Sequence, residues 1–281
     1  MEQYVKEEQV EAFVCRLREE EKSPCTLEKY RRDARAFARF CARRGVALDK
    51  GAALEYKEWL KGRYKTASVN SMLTALNRFL EFLGRGECRV RTVKAQRRMF
   101  CEEKEELTKA EYLRLVQAAR QSGDQRLYLI LQTLGGTGIR VSELRHITAQ
   151  AVRAGRAVVE CKNKQRVILI PPGLQKQLRQ YMEARGIGSG PVFLSRSGRP
   201  LERTIVWKLM KQLCAAARVA ADKVFPHNLR HLFARTYYRA QHDLVRLADL
   251  LGHSSVETTR IYLLASSREY FRQISGLGLT L

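Results

Sequence analysis

The chain has 281 residues, with 52 lysines and arginines against 29 aspartates and glutamates, for a formal net charge of +23. That length suits two modest domains or one large one. A mean hydropathy of −0.36, no apolar run of membrane-span length and the polar start "MEQYVKEEQVEAF" predict a soluble protein without a span or secretory signal. Residues 1–100 carry +9 of the excess and the remainder +14, so it is no single basic tail. A folded chain with this balance faces a polyanion, and nucleic acid fits better than a membrane surface. The seven cysteines are odd in number and show no CxxC pair. They point to a reducing cytosol and against a disulfide scaffold or a zinc site.

The first part reads as four helices. Residues 4–21 put Val10, Phe13, Val14 and Leu17 on one face. Thr26 is a candidate cap for a second helix with Leu27, Tyr30, Ala34, Phe37 and Cys41 inward and Gly45 as its stop. A short third carries Leu54, Trp59 and Leu60. A fourth carries Val69, Met72, Leu73, Leu76, Leu80 and Leu83 and ends at Gly84. The outer face of the second helix holds Arg31, Arg32, Arg35, Arg39 and Arg43. A run like this is ordinarily a solvated face; the basic balance of the whole chain favours DNA-backbone contact here. Residues 85–106 lose apolar periodicity and read as a charged linker.

The second part, residues 107–281, mixes elements. Thr108 and Glu111 are spaced as a capping box. Helices are predicted at 124–134 and 140–148, split by glycines. Residues 156–161 and 165–170 read as a β-hairpin and 192–195 as a third strand. Helices then follow at 202–220, 227–240, 243–251 and 255–264, with a weakly patterned tail from about 266.

Four stretches can carry chemistry. In "GGTGIRVSEL", Arg140 and Glu143 share a face, and a guanidinium held by a carboxylate presents its fork to a phosphate. By itself such a pair is more often a surface salt bridge. The turn "CKNKQR" offers Lys162 and Lys164, by default a solvated basic tip. In "FPHNLRHLFA", His227 and Arg230 share one face of a helix opened by Pro226, and His231 lies on another. In "LLGHSSVETTRIY", Ser254 and Glu257 are spaced as a capping box between His253 and Tyr262. A tyrosine on such a helix is core by default.

Taken together, in this order and spacing, these motifs resemble the tyrosine recombinase family of the phage-integrase type, over nearly the whole chain. The resemblance implies a mainly α fold with a small β-sheet. Residues 1–84 would form a four-helix, SAM-like core-DNA-binding domain, 85–106 a linker, and 107–281 an α+β catalytic domain. It implies that Arg140 and Arg230 clamp a scissile phosphate and that His227 and His253 donate to it or move protons. Tyr262 would be the nucleophile and Glu143 a supporting acid. Many members have a longer "GKGxKxR" turn. Aligning on Arg166 places Lys162 at the catalytic position, with Lys164 the alternative.

The residue types suit that chemistry. A phenol, with a pKa near ~10, attacks poorly at neutral pH unless cations favour its anion, and the same cations stabilise charge on the phosphoryl oxygens. A lysine can protonate the leaving 5′ oxygen. Neither metal nor nucleotide is expected as a cofactor. The implied function is site-specific recombination through a 3′-phosphotyrosine and a Holliday junction, serving integration, excision, inversion or dimer resolution. The expected partners are double-stranded recombination sites held by a homotetramer on two DNAs, with a second recombinase or an accessory protein left open and no membrane. The expected place is the cytoplasm, at the nucleoid, in a bacterium or on a mobile element. With so little chain before residue 4, a further arm-binding domain is not expected. The rival readings are type IB topoisomerase-like relaxation and a non-catalytic DNA-binding protein.

Overall fold

The computed structural model describes residues 6–94, 106–161, 164–195, 197–253, 255–263, 271 and 274–279. The chain divides into two compact units, Met1–Arg97 and Arg98–Leu281. No described helix is long and apolar enough to cross a membrane.

The first unit consists of α1 (Glu7–Glu19), α2 (Pro24–Arg44), α3 (Lys50–Lys61) and α4 (Thr66–Phe82). Their inward stripes follow the helical period. Val10, Phe13 and Leu17 meet Ala34 and Phe79, and Phe37 and Tyr56 meet Leu73, Leu76 and Leu80. The cap of α2 is Ser23 rather than Thr26: its hydroxyl accepts from the Thr26 N–H, and Pro24 supplies the first turn. Gly45, at φ +65°, ends that helix as expected.

Part of the expected linker belongs to this unit. Cys88 and Val90 are buried in its core. Asn77 exchanges two hydrogen bonds with the Val90 backbone (2.8 and 2.9 Å), and Asn70 does the same with Val93 (2.9 and 2.7 Å). Two amides seven residues apart on α4 thus replace the strand partner that an extended segment lacks. Residues 95–105 of that linker lie outside the described residues.

The second unit contains α5 (Lys109–Gln121), α6 (Gln125–Thr137), a 3-10 turn (Val141–His146), α7 (Ala149–Ala154), β1 (Arg156–Cys161), β2 (Lys164–Leu169), α8 (Pro172–Arg185), α9 (Arg203–Gln212), α10 (Cys214–Ala217), α11 (Pro226–Gln241), α12 (Leu244–Leu251) and α13 (Val256–Arg260). Further 3-10 turns are Ala221–Lys223, before α11, and Ile261–Leu263, after α13. The Thr108–Glu111 box caps α5. Helix α6 is apolar on most sides and buries Leu127, Leu129, Ile130, Leu131 and Leu134 at the centre of the unit.

Three elements differ from expectation. The helix predicted at 140–148 is a 3-10 turn followed by a helix with Thr148 as its cap. Helix α8, opened by Pro171–Pro172, was not predicted. Residues 192–195 form no strand among the described residues: Val192 and Phe193 are buried, but only isolated bridges (Thr148–Pro191, Leu194–Pro200) flank them. Burial, not sheet pairing, explains that apolar run.

The hairpin is antiparallel, with Ala157 opposite Ile168 and Val159 opposite Arg166. Ala157, Val159 and Ile168 are buried, whereas Val158, Val167 and Leu169 are exposed. Arg166 therefore occupies an inward position on β2.

Candidate active site

The site lies within the second unit, where four chain segments meet. The first is the end of α6. Gly138 terminates it at φ +64°, and a Cβ there would lie 2.3 Å from the Phe233 ring, so only glycine fits. Its carbonyl accepts from Arg230 Nη1 at 2.8 Å. Two residues later, Arg140 opens the 3-10 turn. Its N–H donates to Glu143 Oε2 (2.7 Å) and its Nη1 to Glu143 Oε1 (3.1 Å). The Arg140 side chain remains 42% exposed while that of Glu143 is 7% exposed, so a buried carboxylate holds an open guanidinium.

The second segment is β2. Arg166 Nη2 donates to Glu143 Oε2 at 2.6 Å, and Nη1 donates to the Leu250 carbonyl at 3.1 Å.

The third is the start of α11, which brings in His227, Arg230 and His231. Arg230 is 1% exposed. Its Nη2 donates to the Leu251 carbonyl at 2.6 Å and contacts His253 Nε2 at 2.9 Å, while its Nε is buried without a hydrogen-bond partner among the described residues.

The last segment runs from Gly252, which ends α12 at φ +65°, to Tyr262. A guanidinium can only donate, so His253 Nε2 is the acceptor and Nδ1 carries the proton, donated to Thr259 Oγ1 at 2.8 Å. The cap of α13 is Ser255, whose hydroxyl accepts from the Glu257 N–H; Ser254, predicted for that role, lies outside the described residues. Tyr262 is 7% exposed and packs on Ala234, Leu247 and Leu251. Its ring centroid lies 4.3 Å from that of His231, 5.4 Å from His253 and 5.5 Å from His227.

Electrostatics make the pocket anion-seeking. Burial, then the charges of Arg230, Arg140 and Arg166, push His253 down to about 4. Burial, then His227 and Arg230, push His231 down to about 4 as well. His227 retains an exposed surface, yet partial desolvation of its ring comes first in lowering it, followed by Arg230, Arg140 and Arg203. All three imidazoles are therefore neutral near pH 7. Arg230 is lowered by burial and then by Arg140, opposed by the nearby Tyr262 side chain; as an arginine it stays charged. Arg140 and Arg166 thus share the Glu143 carboxylate while Arg230 has only carbonyl and imidazole partners, so a phosphate would balance the excess positive charge. Among the described residues no group of histidines, cysteines and acids is arranged to hold a metal.

Six sequence-predicted residues converge here: Arg140, Glu143, His227, Arg230, His253 and Tyr262. Lys162 lies outside the described residues, and Lys164 starts β2 opposite Cys161, with its side chain outside them. Sequence reasoning missed the contacts of Arg166, His231 and Thr259. His231 was placed on a face away from His227, but edge-on packing at 4.8 Å and the returning 3-10 turn bring it to Tyr262.

In the first unit, the predicted DNA-facing arginines divide. Arg31 pairs with Glu11 and Glu28, and Arg35 with Glu7 and Glu11, which fastens α2 to α1. Arg32 borders Asp33 and is 71% exposed. Arg39 and Arg43 are exposed and form no ion pair among the described residues.

Comparison with known proteins shows the family and the fold. Residues 105–269 match the phage integrase family, and residues 10–87 match the N-terminal SAM-like domain of phage integrases. The chain is 32% identical over 266 residues to tyrosine recombinase XerD of Xanthomonas campestris, covering 86% of this chain and 82% of that protein. It is 31% identical over 265 residues to tyrosine recombinase XerA of Thermococcus kodakarensis, covering 91% and 90%. Among solved structures, a lambda integrase tetramer bound to a Holliday junction shares the fold, with a TM-score of 0.71 at 22% identity, over 93% of this chain and 78% of that one.

Proposed function

The chain belongs to the phage integrase family, and on that premise we propose that it is a site-specific tyrosine recombinase in which Tyr262 is the nucleophile. The observation that carries the reading is the convergence of Arg140, Arg230, His227, His253 and Tyr262, from separate stretches of chain, around one carboxylate-poor cationic pocket.

In the proposed reaction the Tyr262 oxygen attacks the scissile phosphorus and the bond to the 5′ oxygen breaks. His227, neutral at the working pH and beside the tyrosine ring, takes the phenolic proton. The leaving 5′ oxygen receives a proton from the hairpin lysine, Lys162 or, failing that, Lys164. Arg140, Arg230 and the His253 Nδ1–H, once freed from their present partners, stabilise charge on the non-bridging oxygens. The 3′-phosphotyrosine keeps the bond energy, so a 5′ hydroxyl from a second site can reverse the step without metal or nucleotide. The proposed assembly is a homotetramer on two DNA sites passing through a Holliday junction, as in the lambda integrase complex. The first unit would hold the duplex through Arg39 and Arg43, and the protein would act on DNA in the cytoplasm.

The test is trapping on a nicked site. Wild type should form a covalent protein–DNA adduct, and Tyr262→Phe should form none. An adduct that survives this substitution overturns the assignment. Relaxation of supercoils without site preference would favour the topoisomerase alternative, and binding with no adduct at all would favour the non-catalytic one.

A further inference from the structure

We infer that Arg166 is a positioning residue that holds the two proposed phosphate-binding arginines, Arg140 and Arg230, in register with each other. The inference rests on the proposed function. The described hydrogen bonds of Arg166 run to Glu143 and the Leu250 carbonyl, and it acts through these partners.

The bonds form a closed circuit. Arg140 is fixed by Glu143, and Glu143 is fixed by Arg166 Nη2 at 2.6 Å. Arg166 Nη1 holds the Leu250 carbonyl, and the next carbonyl, Leu251, holds Arg230 Nη2. Arg230 Nη1 closes the ring on Gly138, two residues before Arg140. Without Arg166, the Glu143-to-Leu250 half of the circuit opens, and the two arginines stay connected only through the bond of Arg230 to Gly138.

The stem of Arg166 is fitted as closely as its head. A Cβ on Gly252 would lie 2.4 Å from Arg166 Cδ. Glycine at 252 thus meets two demands, a left-handed φ and room for this one side chain. The planar fork reaches two acceptors at once, which a lysine ammonium on a flexible stem does not reproduce. An arginine with a 10% exposed side chain at an inward hairpin position, ion-paired and doubly bonded, is a costly feature that packing alone would replace with an aliphatic residue.

The test compares full-length Arg166→Gln, Arg166→Lys and Gly252→Ala with wild type, using nicked sites that carry either an ordinary phosphate or an uncharged methylphosphonate at the scissile position. If Arg166 acts by aligning the arginines on phosphoryl charge, each variant should lose at least tenfold in adduct rate on the phosphate. Each should lose under threefold on the methylphosphonate, with DNA affinity unchanged. Equal loss on both substrates, or no loss on either, overturns the positioning role. Should Arg166→Gln fail to give a cooperative melt, Gly252→Ala, which crowds the same side chain from the opposite direction, supplies the comparison. Tyr262→Phe is run in parallel on both substrates: an adduct there would sink the proposed function itself, independently of Arg166.

Discussion

Replacing Glu143 with glutamine should destabilise the second unit while leaving DNA affinity intact or slightly higher. The carboxylate accepts from the Arg140 N–H, the Arg140 guanidinium and the Arg166 guanidinium, and its side chain is 7% exposed. The Arg140 pair is 42% exposed on the cationic side and contributes little, about 0–1 kcal/mol. The Arg166 pair is buried on both sides, and breaking such a pair costs about 3–5 kcal/mol. Glutamine retains one acceptor oxygen, so the lower end, about 3 kcal/mol, is expected. For a unit of this size, 1 kcal/mol corresponds to about 2–4 °C, so the melting temperature should fall by roughly 6–12 °C. Calorimetry on the full chain measures this, and the transition of the first unit serves as an internal control that should not move. The substitution also removes the one negative charge paired with Arg140 and Arg166, so a bound phosphate becomes the replacement partner of the open Arg140. DNA should therefore restore more stability to Glu143→Gln than it adds to wild type. A melting temperature within about 2 °C of wild type would refute the view that Glu143 is the charge hub of the pocket.

Two further outcomes follow from the same geometry. His231 and His253 fall from an ordinary 6.5 to about 4 on folding, so between those values the unfolded chain binds more protons. Stability should be full above pH 6.5 and fall as the pH drops towards 4, by up to about 3 kcal/mol for His231 and by less for His253, whose more exposed ring is partly screened by solvent. Urea midpoints measured across that range should flatten in His253→Gln, and an unchanged slope there would contradict the Arg230–His253–Thr259 bonding. In the first unit, Arg39→Ala and Arg43→Ala should each weaken DNA binding and reduce the salt slope by about 1, as loss of a phosphate contact does. Arg31→Ala should instead lower the stability of that unit, because its charge is committed to Glu11 and Glu28. Titration of binding against salt separates the two groups.

Much of the site was legible because its chemistry sits in short motifs whose spacing fixes a face. Arg140 with Glu143 and His227 with Arg230 are local pairs, and each holds the relation expected of it. What the sequence obscured was long-range. Arg166 bonds across 84 residues to Leu250 and 23 to Glu143, and no local pattern records that. One clue was present: Arg166 stands on the same hairpin face as Ile168, an arginine where alternation calls for an apolar residue. His231 was discounted because helical periodicity considers one helix at a time, whereas its partner, Tyr262, returns from another element. Errors in the fold have the same origin. Residues 86–94 look like linker because their partners are side-chain amides on α4, and 192–195 look like a strand because buried apolar residues pattern alike in sheets and loops.

The most direct test of the central claim is chemical. The covalent adduct from a nicked site is digested, and the peptide that carries nucleotide is located by mass spectrometry. The account predicts a nucleotide joined through its 3′ phosphate to Tyr262 and a free 5′ hydroxyl on the released strand. Nucleotide on any other residue, or a 5′-phosphate linkage, would contradict it.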